Sequence, residues 1–428
     1  PAIHRLQVKG STVPSWLVLL SSVLLVIVVI KAAFSIVLAR RYHHRAAWRA
    51  DVEGPPLRVT VIVPAYNEQA TIANCLEGMT RQTYPHLDVL VVDDGSNDGT
   101  AQAAEEALAS MDSRVPIVVT RKGNGGKASA LNYGILMTSA DVIVCVDADS
   151  QLAPDAIERI VETFGDPQVG AVGGMVKVAN ERTLLGRQQA MEYIGGIGVQ
   201  RAAFAELDSI QVLSGALSAF RRDVVKSFGG YSRDSIVEDF DITLAVHRSG
   251  YRVVMNPEAV AYTEGPLSYS DLRKQRYRWT YGGFQVLAKY RDGMFNEEYG
   301  SLGRVGLPYF AIFPWIDVLA SVLLISTFVL SVATGNLITF AVFFLATSLI
   351  GSALNLYALR LAGEPLRMAL YGLLMPIFFA HVLTWTTARA GWGFLRRKAV
   401  HWDSLERGGQ NVVKQEAPAD PIAVAMAA

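Results

Sequence analysis

The chain has 428 residues, and its 39 Lys and Arg residues balance 39 Asp and Glu residues, so it lacks the basic excess of a nucleic-acid-binding protein. Hydrophobic residues make up 51% of the chain and the mean hydropathy is +0.26, which is high for a soluble enzyme and predicts membrane-spanning segments. The two cysteines, Cys75 and Cys145, stand in apolar segments, which favours buried thiols over a disulfide or a thiolate metal site.

A membrane helix is predicted near the start of the chain. After an N-terminal segment at 1–15, residues 16–39 form an apolar run long enough to span a bilayer. Lys31 interrupts this run and either reaches the membrane interface or faces a polar neighbour. The linker at 40–57 opens with a basic cluster, and because cytoplasmic flanks are rich in Lys and Arg, it predicts that the following domain is cytoplasmic.

Residues 58–265 alternate short β-branched runs with helical patterns, and the pattern becomes mixed from residue 151 onwards. Such alternation predicts an α/β domain with a mostly parallel sheet, in which ligands bind at the carboxyl ends of the strands. Polar clusters stand at those ends. They are Asp93-Asp94-Gly95-Ser96, the Gly123–Lys127 loop and Asp147-Ala148-Asp149.

The carboxylates of these clusters suggest two kinds of binding. Asp147 and Asp149 provide the oxygen ligands that Mg²⁺ or Mn²⁺ prefers, with substrate phosphates completing the site. An ordinary acidic turn is the alternative for this pair taken alone. Asp93 and Asp94 provide acceptors for the N–H groups of a base.

Two further positions have a functional and a structural interpretation. Lys127, at the predicted start of a helix, neutralises a phosphate or is a solvated loop lysine; its loop is not a Walker motif, because Arg121 replaces the first glycine. Glu238-Asp239 supplies a general base for an attacking hydroxyl, or caps the helix that follows.

Residues 266–306 are predicted to form interfacial helices containing Gln275-Arg276-Tyr277-Arg278-Trp279. Guanidinium groups bind phosphate oxygens in a bidentate manner, and an indole face is a platform for a sugar ring. Read alone, the pentapeptide fits equally well an amphipathic helix whose arginines meet lipid headgroups.

The C-terminal part of the chain is apolar. Residues 307–390 predict three membrane helices, at Leu307–Val332, Leu337–Leu359 and Leu366–Ala388, before a tail at 391–428. Together with the N-terminal helix this gives four spans, which leaves Arg396-Arg397-Lys398 outside, against the positive-inside rule. The alternative is that one segment is re-entrant or lies in the interface.

The motifs in this order resemble the inverting family 2 glycosyltransferases of GT-A fold, and specifically their membrane-embedded processive branch. The set that carries the resemblance is Pro64-Ala65-Tyr66-Asn67-Glu68, Asp93-Asp94-Gly95-Ser96, Asp147-Ala148-Asp149, Glu238-Asp239 and Gln275-Arg276-Tyr277-Arg278-Trp279. The branch includes cellulose, hyaluronan, chitin-oligosaccharide and poly-N-acetylglucosamine synthases. The resemblance implies a Rossmann-like, mostly parallel GT-A domain in the cytoplasm and an α-helical transmembrane region.

The resemblance also implies a role for each matched residue. Asp239 would be the catalytic base with Glu238 beside it, and Asp147 and Asp149 would hold the sugar nucleotide and its Mg²⁺ or Mn²⁺. The acceptor would contact Trp279, Ser214 and Gly215. The remaining donor-binding residues would be Tyr66, Glu68, Asp93 and Asp94 at the uridine, and Lys127, Gln275, Arg276 and Arg278 near the diphosphate.

The leading interpretation is therefore a processive β-glycosyltransferase of the plasma membrane that polymerises a UDP-sugar and exports the growing exopolysaccharide. Gly282-Gly283 after the pentapeptide most resembles the poly-N-acetylglucosamine synthases and favours UDP-N-acetylglucosamine, whereas a single N-terminal span is similar to the chitin-oligosaccharide synthases. Hyaluronan-type or cellulose-type synthesis, a non-processive transferase acting on a lipid, and a catalytically silent membrane scaffold are the alternatives. The implied partners are the donor, the growing polysaccharide, the lipid bilayer and a small accessory membrane subunit.

Overall fold

The computed structural model of the protein describes residues 13–46, 48–49, 55–398, 400 and 409. The predictions for the first twelve residues and for most of the tail lie outside the described residues.

One mixed sheet of eight strands organises the domain between the apolar helices. The strand order is β3-β2-β1-β4-β7-β6-β8-β5; β1, β2, β3 and β4 run parallel, and β7 is antiparallel to both of its neighbours. The predicted parallel half and the mixed second half are both confirmed. The strands are β1 Val59–Ala65, β2 Leu87–Asp93, β3 Ile117–Arg121, β4 Val142–Cys145, β5 Ser150–Leu152, β6 Val169–Val178, β7 Ser218–Arg221 and β8 Arg252–Thr263.

Helices cover the sheet and connect its strands. They are α2 Ile72–Thr80, α3 Thr100–Ser110, α4 Lys127–Met137, α5 Ala156–Thr163, α6 Leu184–Met191, α7 Val199–Glu206, α8 Arg222–Ser227, α9 Glu238–Arg248 and α10 Tyr269–Lys289. The helix predicted from Asn67 begins later, because Asn67 has a φ of 57° and its N–H donates to the Ser96 hydroxyl. The two cysteines are free and buried, as predicted.

Within the described ranges, three continuous helices are long and apolar enough to cross a membrane. They contain α1 Ser15–Arg45, α11 Leu307–Thr334 and α12 Leu337–Leu361. The first includes the predicted span and continues as a helix through the start of the predicted basic linker. Lys31 of α1 forms an ion pair with Asp317 of α11 at 3.2 Å, so the polar-neighbour interpretation of this lysine is confirmed.

The segment predicted as a fourth continuous membrane helix is broken in two. It forms α13 Ala369–Leu374 and α14 Phe379–Leu395, and the first half, from Leu366 to Leu374, is bent by 58° relative to α14. Pro376 stands at the break, where its ring removes a backbone donor and interrupts the helical pattern. The segment is therefore either a broken span or a re-entrant loop, so the prediction of a fourth span stays a prediction.

Both ends of this broken segment contact the sheet-bearing domain. Before it, Glu364 pairs with Lys177 of β6 at 2.8 Å. After it, the Lys398 carbonyl accepts a hydrogen bond of 2.8 Å from the Tyr281 hydroxyl of α10. The broken segment is thus held against the domain at both of its ends.

Candidate active site

A cavity of about 430 Å³ lies at the carboxyl ends of β1, β2 and β4, where the loops after these neighbouring parallel strands meet. Its walls combine residues from sequence motifs that are up to about two hundred positions apart. Every predicted site residue except Asp93 and Arg276 lines it, namely Tyr66, Glu68, Asp94, Lys127, Asp147, Asp149, Ser214, Gly215, Glu238, Asp239, Gln275, Arg278 and Trp279.

Lys127 joins two acidic walls of this cavity. As the first residue of α4, it places its Nζ atom 2.6 Å from the Asp147 carboxylate and 2.8 Å from the Glu238 carboxylate. Burial alone would lower the pKa of Lys127, but Asp147, Glu238 and Asp239 together raise it well above its usual range. A Cβ atom on Gly215 would lie only 2.6 Å from this ammonium, so the absence of a side chain there leaves room for the bridge.

Asp239 has the electrostatic properties of a base. Its carboxylate lies in the first turn of α9, where the Phe240 N–H donates a hydrogen bond of 2.8 Å. Burial and, next, the Glu238 carboxylate raise the pKa of Asp239 to about 6, although Lys127 opposes both effects. A carboxylate that titrates near neutrality accepts a proton more readily than an exposed aspartate and is still ionised at pH 7.

Asp147 and Asp149 bring oxygen donors into the cavity. Asp149 is buried, and its carboxylate accepts hydrogen bonds from Ser150 at 3.1 Å and from Thr263 at 3.3 Å. Within the described part of the chain, no group of three or more His, Cys, Asp or Glu residues has the arrangement of a metal site. Carboxylate oxygens are the ligands that hard divalent cations prefer, and such cations commonly take their other ligands from phosphate and water.

The acidic pair Asp93-Asp94 at the end of β2 is divided between the cavity wall and the interior. Asp94 lines the cavity and accepts backbone hydrogen bonds from Gly125 at 3.1 Å and from Gly126 at 2.7 Å, which fixes the loop before α4. Asp93 is fully buried and pairs with Arg121 at 2.9 Å. Asp93 is therefore placed behind the wall, where it supports the loop.

Arg276 does not line the cavity, in contrast to its predicted place at the diphosphate. Its guanidinium forms a two-pronged ion pair with Glu192, at 3.0 and 2.6 Å. It also lies over the Trp279 ring, 4.2 Å from the centroid. Both charged side chains are largely buried, so the geometry assigns Arg276 to holding the indole and the helix of Glu192 in place.

Other cavity residues are absent from the prediction. Tyr193 lies in a π-helical turn at Glu192–Gly198, a feature often found at functional sites but without a local sequence signature. Glu264 lines the cavity directly after β8, so the rule that polar residues follow strand ends applies to it as well. That signal was present in the sequence.

Because Arg276 is buried against Glu192, we expect Arg276→Gln to destabilise the fold by about 3–5 kcal/mol, since it leaves one buried carboxylate uncompensated. Thermal unfolding of the purified protein measures this effect, and the double variant with Glu192→Gln should recover much of the loss. Arg273→Gln, at an exposed position of the same helix, is the matched control. An unchanged melting temperature combined with weaker UDP binding would instead indicate a role at the diphosphate.

Residues 55–282, about half of the chain, match the model of the family described as "Glycosyltransferase like family 2". The chain is 33% identical over 232 residues to poly-beta-1,6-N-acetyl-D-glucosamine synthase of Staphylococcus aureus (strain COL), covering 54% of this chain and 56% of that protein. It is 31% identical over 240 residues to the enzyme of the same name from Staphylococcus epidermidis, covering 56% and 57%. The similarity thus spans about half the length of these curated relatives.

A solved structure extends the similarity over most of the fold. A mannosyltransferase of Pyrobaculum calidifontis, PcManGT, in complex with GDP-Man and Mn²⁺, aligns with 88% of this chain and 100% of its own chain. The TM-score is 0.58 and the sequence identity is 25%. The mixed sheet and its apolar helices are therefore those of a GT-A glycosyltransferase with helices long enough to cross a membrane.

Proposed function

The chain belongs to the family 2 glycosyltransferases, and on that premise we propose that it is an inverting, processive β-glycosyltransferase that polymerises UDP-N-acetylglucosamine. The observation that carries the proposal is that residues from five separate motifs line a single cavity around Asp239. The names of the staphylococcal relatives support the choice of sugar and of a poly-N-acetylglucosamine product.

The proposed reaction is a single displacement at the anomeric carbon of the donor. Asp239 accepts the proton of the acceptor hydroxyl as its oxygen forms a bond to that carbon. The bond between the carbon and the β-phosphate oxygen breaks, and UDP leaves with the electron pair. One displacement inverts the configuration, so an α-linked donor yields a β-linked sugar without a covalent enzyme intermediate.

The donor is proposed to lie along the wall formed by the loops after β1, β2 and β4. Tyr66, Glu68 and Asp94 would contact the uridine, with Asp93 fixing the loop behind them. Lys127, Gln275 and Arg278 would face the diphosphate. Asp147 and Asp149 would hold Mg²⁺ or Mn²⁺, which neutralises charge on the leaving diphosphate.

The acceptor is proposed to end against Trp279, with Ser214 and Gly215 on the same cavity lining. We expect Trp279→Ala to weaken acceptor binding by about tenfold, because one stacking surface is lost, and to shorten the polymer before it affects UDP affinity. Product length on a gel and a UDP titration measure the two effects. Trp279→Phe, which keeps an aromatic face, is the control, and an equal loss of UDP affinity in Trp279→Ala would contradict the acceptor assignment.

We further propose that the protein is a multi-pass protein of the plasma membrane with its catalytic domain in the cytoplasm. The basic residues of α1 beyond Arg40, together with Arg360 and Arg367, lie at the helix ends that meet the domain, which is the side favoured for positive charge. With α1, α11 and α12 as spans and the broken segment re-entrant, Arg396-Arg397-Lys398 is also cytoplasmic. The conflict with the positive-inside rule then disappears.

Labelling of single cysteines tests this topology in intact cells. Ala333→Cys, at the exposed end of α11 away from the domain, should react with a membrane-impermeant maleimide. Arg397→Cys should react only after permeabilisation, because it follows α14 on the domain side. The native Cys75 and Cys145 are buried and give little background. Labelling of Arg397→Cys in intact cells would restore the four-span topology.

A panel of donors tests the function itself. Purified full-length protein is incubated with UDP-N-acetylglucosamine, UDP-glucose, UDP-glucuronic acid or GDP-mannose, with and without Mn²⁺, and nucleotide release is measured. We expect cation-dependent release of UDP from UDP-N-acetylglucosamine above all others. No release from any donor would overturn the enzymatic proposal, and release from another donor would change the proposed product.

Co-purification from the native membrane tests the small accessory subunit that the family resemblance implies.

A further inference from the structure

A second cavity, of about 400 Å³, lies between α10 and α14 and is chemically unlike the first. Among the lining residues that the structure describes, five are basic and none is acidic; the basic ones are Arg273, Lys274, Arg278, Arg389 and Lys398. The indole of Trp385 also lines it and is 68% exposed. We call it the interfacial basic cavity.

The residues that the structure describes compensate the positive charge of this cavity only in part. Asp271, which lies one helical turn before Lys274, pairs with it at 2.9 Å. Arg273, Arg389 and Lys398 form no ion pair with any residue that the structure describes. A concave surface with several converging cations attracts an anion with several oxygens, and a phosphate group meets that requirement.

The surroundings of the cavity indicate where that phosphate comes from. On α14, Trp385, Trp392 and Leu395 expose 68%, 56% and 72% of their surface. The opposite face of α14, including Phe379 and Gly391, is buried. An apolar helix face flanked by tryptophans and cations is typical of a segment lying in the membrane interface.

We propose that the interfacial basic cavity binds the phosphate headgroup of an anionic phospholipid from the leaflet that faces the catalytic domain. The acyl chains then lie along the exposed apolar face of α14, while Arg389 and Lys398 hold the phosphate. Arg278 lines both this cavity and the candidate active site, so the bound lipid sits next to a residue at the donor site. The lipid is thereby placed to stabilise the packing of α14 on α10 beside the cleft.

Binding of a soluble phospholipid to the full-length protein in neutral detergent tests this proposal without any donor. We expect dioctanoyl phosphatidylglycerol to bind at least about tenfold more tightly than dioctanoyl phosphatidylcholine. Arg389→Gln with Lys398→Gln should reduce phosphatidylglycerol binding by about tenfold, since each cation near a membrane surface contributes severalfold. The charge-preserving pair Arg389→Lys with Lys398→Arg should retain binding and shows that the fold tolerates changes at these positions.

The matched control is Arg396→Gln with Arg397→Gln, which removes the same charge from the same segment at two exposed residues outside the cavity. Because these two exposed charges lie outside the cavity and are screened by salt, we expect less than about a threefold change in that control. Equal losses in both pairs would overturn the site and leave only general surface attraction. Competition by inorganic phosphate or UDP at concentrations similar to the lipid would overturn the lipid assignment in favour of a soluble anion. Lipid binding is measured without any sugar transfer. A failure of the lipid proposal is therefore distinguished from a failure of the proposed glycosyltransferase function.

Discussion

Replacing Asp239 by asparagine is expected to lower the rate of sugar transfer by about 10³-fold while leaving UDP affinity within about twofold of the parent value. The side chain keeps its shape and its position at the start of α9, but it no longer accepts the proton of the attacking hydroxyl. Transfer assays combined with a UDP titration measure the two quantities. An equal loss of UDP binding would place Asp239 in donor binding instead.

Two comparisons make this result specific to the base. Glu238→Gln removes the neighbouring carboxylate, which pairs with Lys127, and should cost much less activity. If Glu238→Gln were the more damaging variant, the two residues would exchange roles. The stability of Asp239→Asn provides a folding control. Because folding raises the pKa of Asp239 to about 6, the ionised carboxylate is unfavourable at pH 7, and the neutral asparagine should unfold at the same or a higher temperature.

Lys127→Gln is expected to reduce transfer by about 10²-fold at neutral pH and also to change its pH dependence. In the parent protein the rate should rise with pH through the pKa of Asp239, about 6, because the base acts when it is deprotonated. Lys127 lowers that pKa by its charge, so its removal raises the pKa of Asp239 and moves the acid limb of the profile to higher pH. Rates between pH 5 and 9 measure the shift.

Lys122→Gln is the matched control for this experiment. Lys122 belongs to the same loop and also pairs with a carboxylate, that of Asp94, but it does not line the cavity. Its removal should leave the acid limb where it is. An unchanged limb in Lys127→Gln would show that Lys127 serves the diphosphate alone and does not set the basicity of Asp239.

The sequence alone was enough to predict those site residues whose position follows from a regular feature of the fold. Asp94, Asp147 and Asp149 were found because they stand directly after parallel strands, and the sheet brings those strand ends together. The same rule applies to Glu264 after β8. Residues on helices far from strand ends, such as Tyr193, have no such signal, because a π-helical turn depends on packing with distant parts of the chain.

Two features of the structure do not follow from the sequence, because a local pattern does not define a direction. The arginines at 276 and 278 are equivalent in the sequence, but in a helix they are about 200° apart, so Arg278 faces the cavity while Arg276 turns towards Glu192. Hydropathy likewise measures how apolar a segment is, but not whether it crosses the bilayer. Glu364 and Lys398, at the two ends of the last apolar segment, both contact the domain, which supports the proposal that this segment is re-entrant.

The most direct test of the central proposal is the product formed by the purified full-length protein from UDP-N-acetylglucosamine and Mn²⁺ at low conversion. We predict long N-acetylglucosamine polymers while most of the donor is still unused, with β-anomeric signals in the NMR spectrum and no polymer from Asp239→Asn. Single-sugar products, α-anomeric linkages, or polymer formation that survives in Asp239→Asn would contradict a processive, inverting transferase with this base.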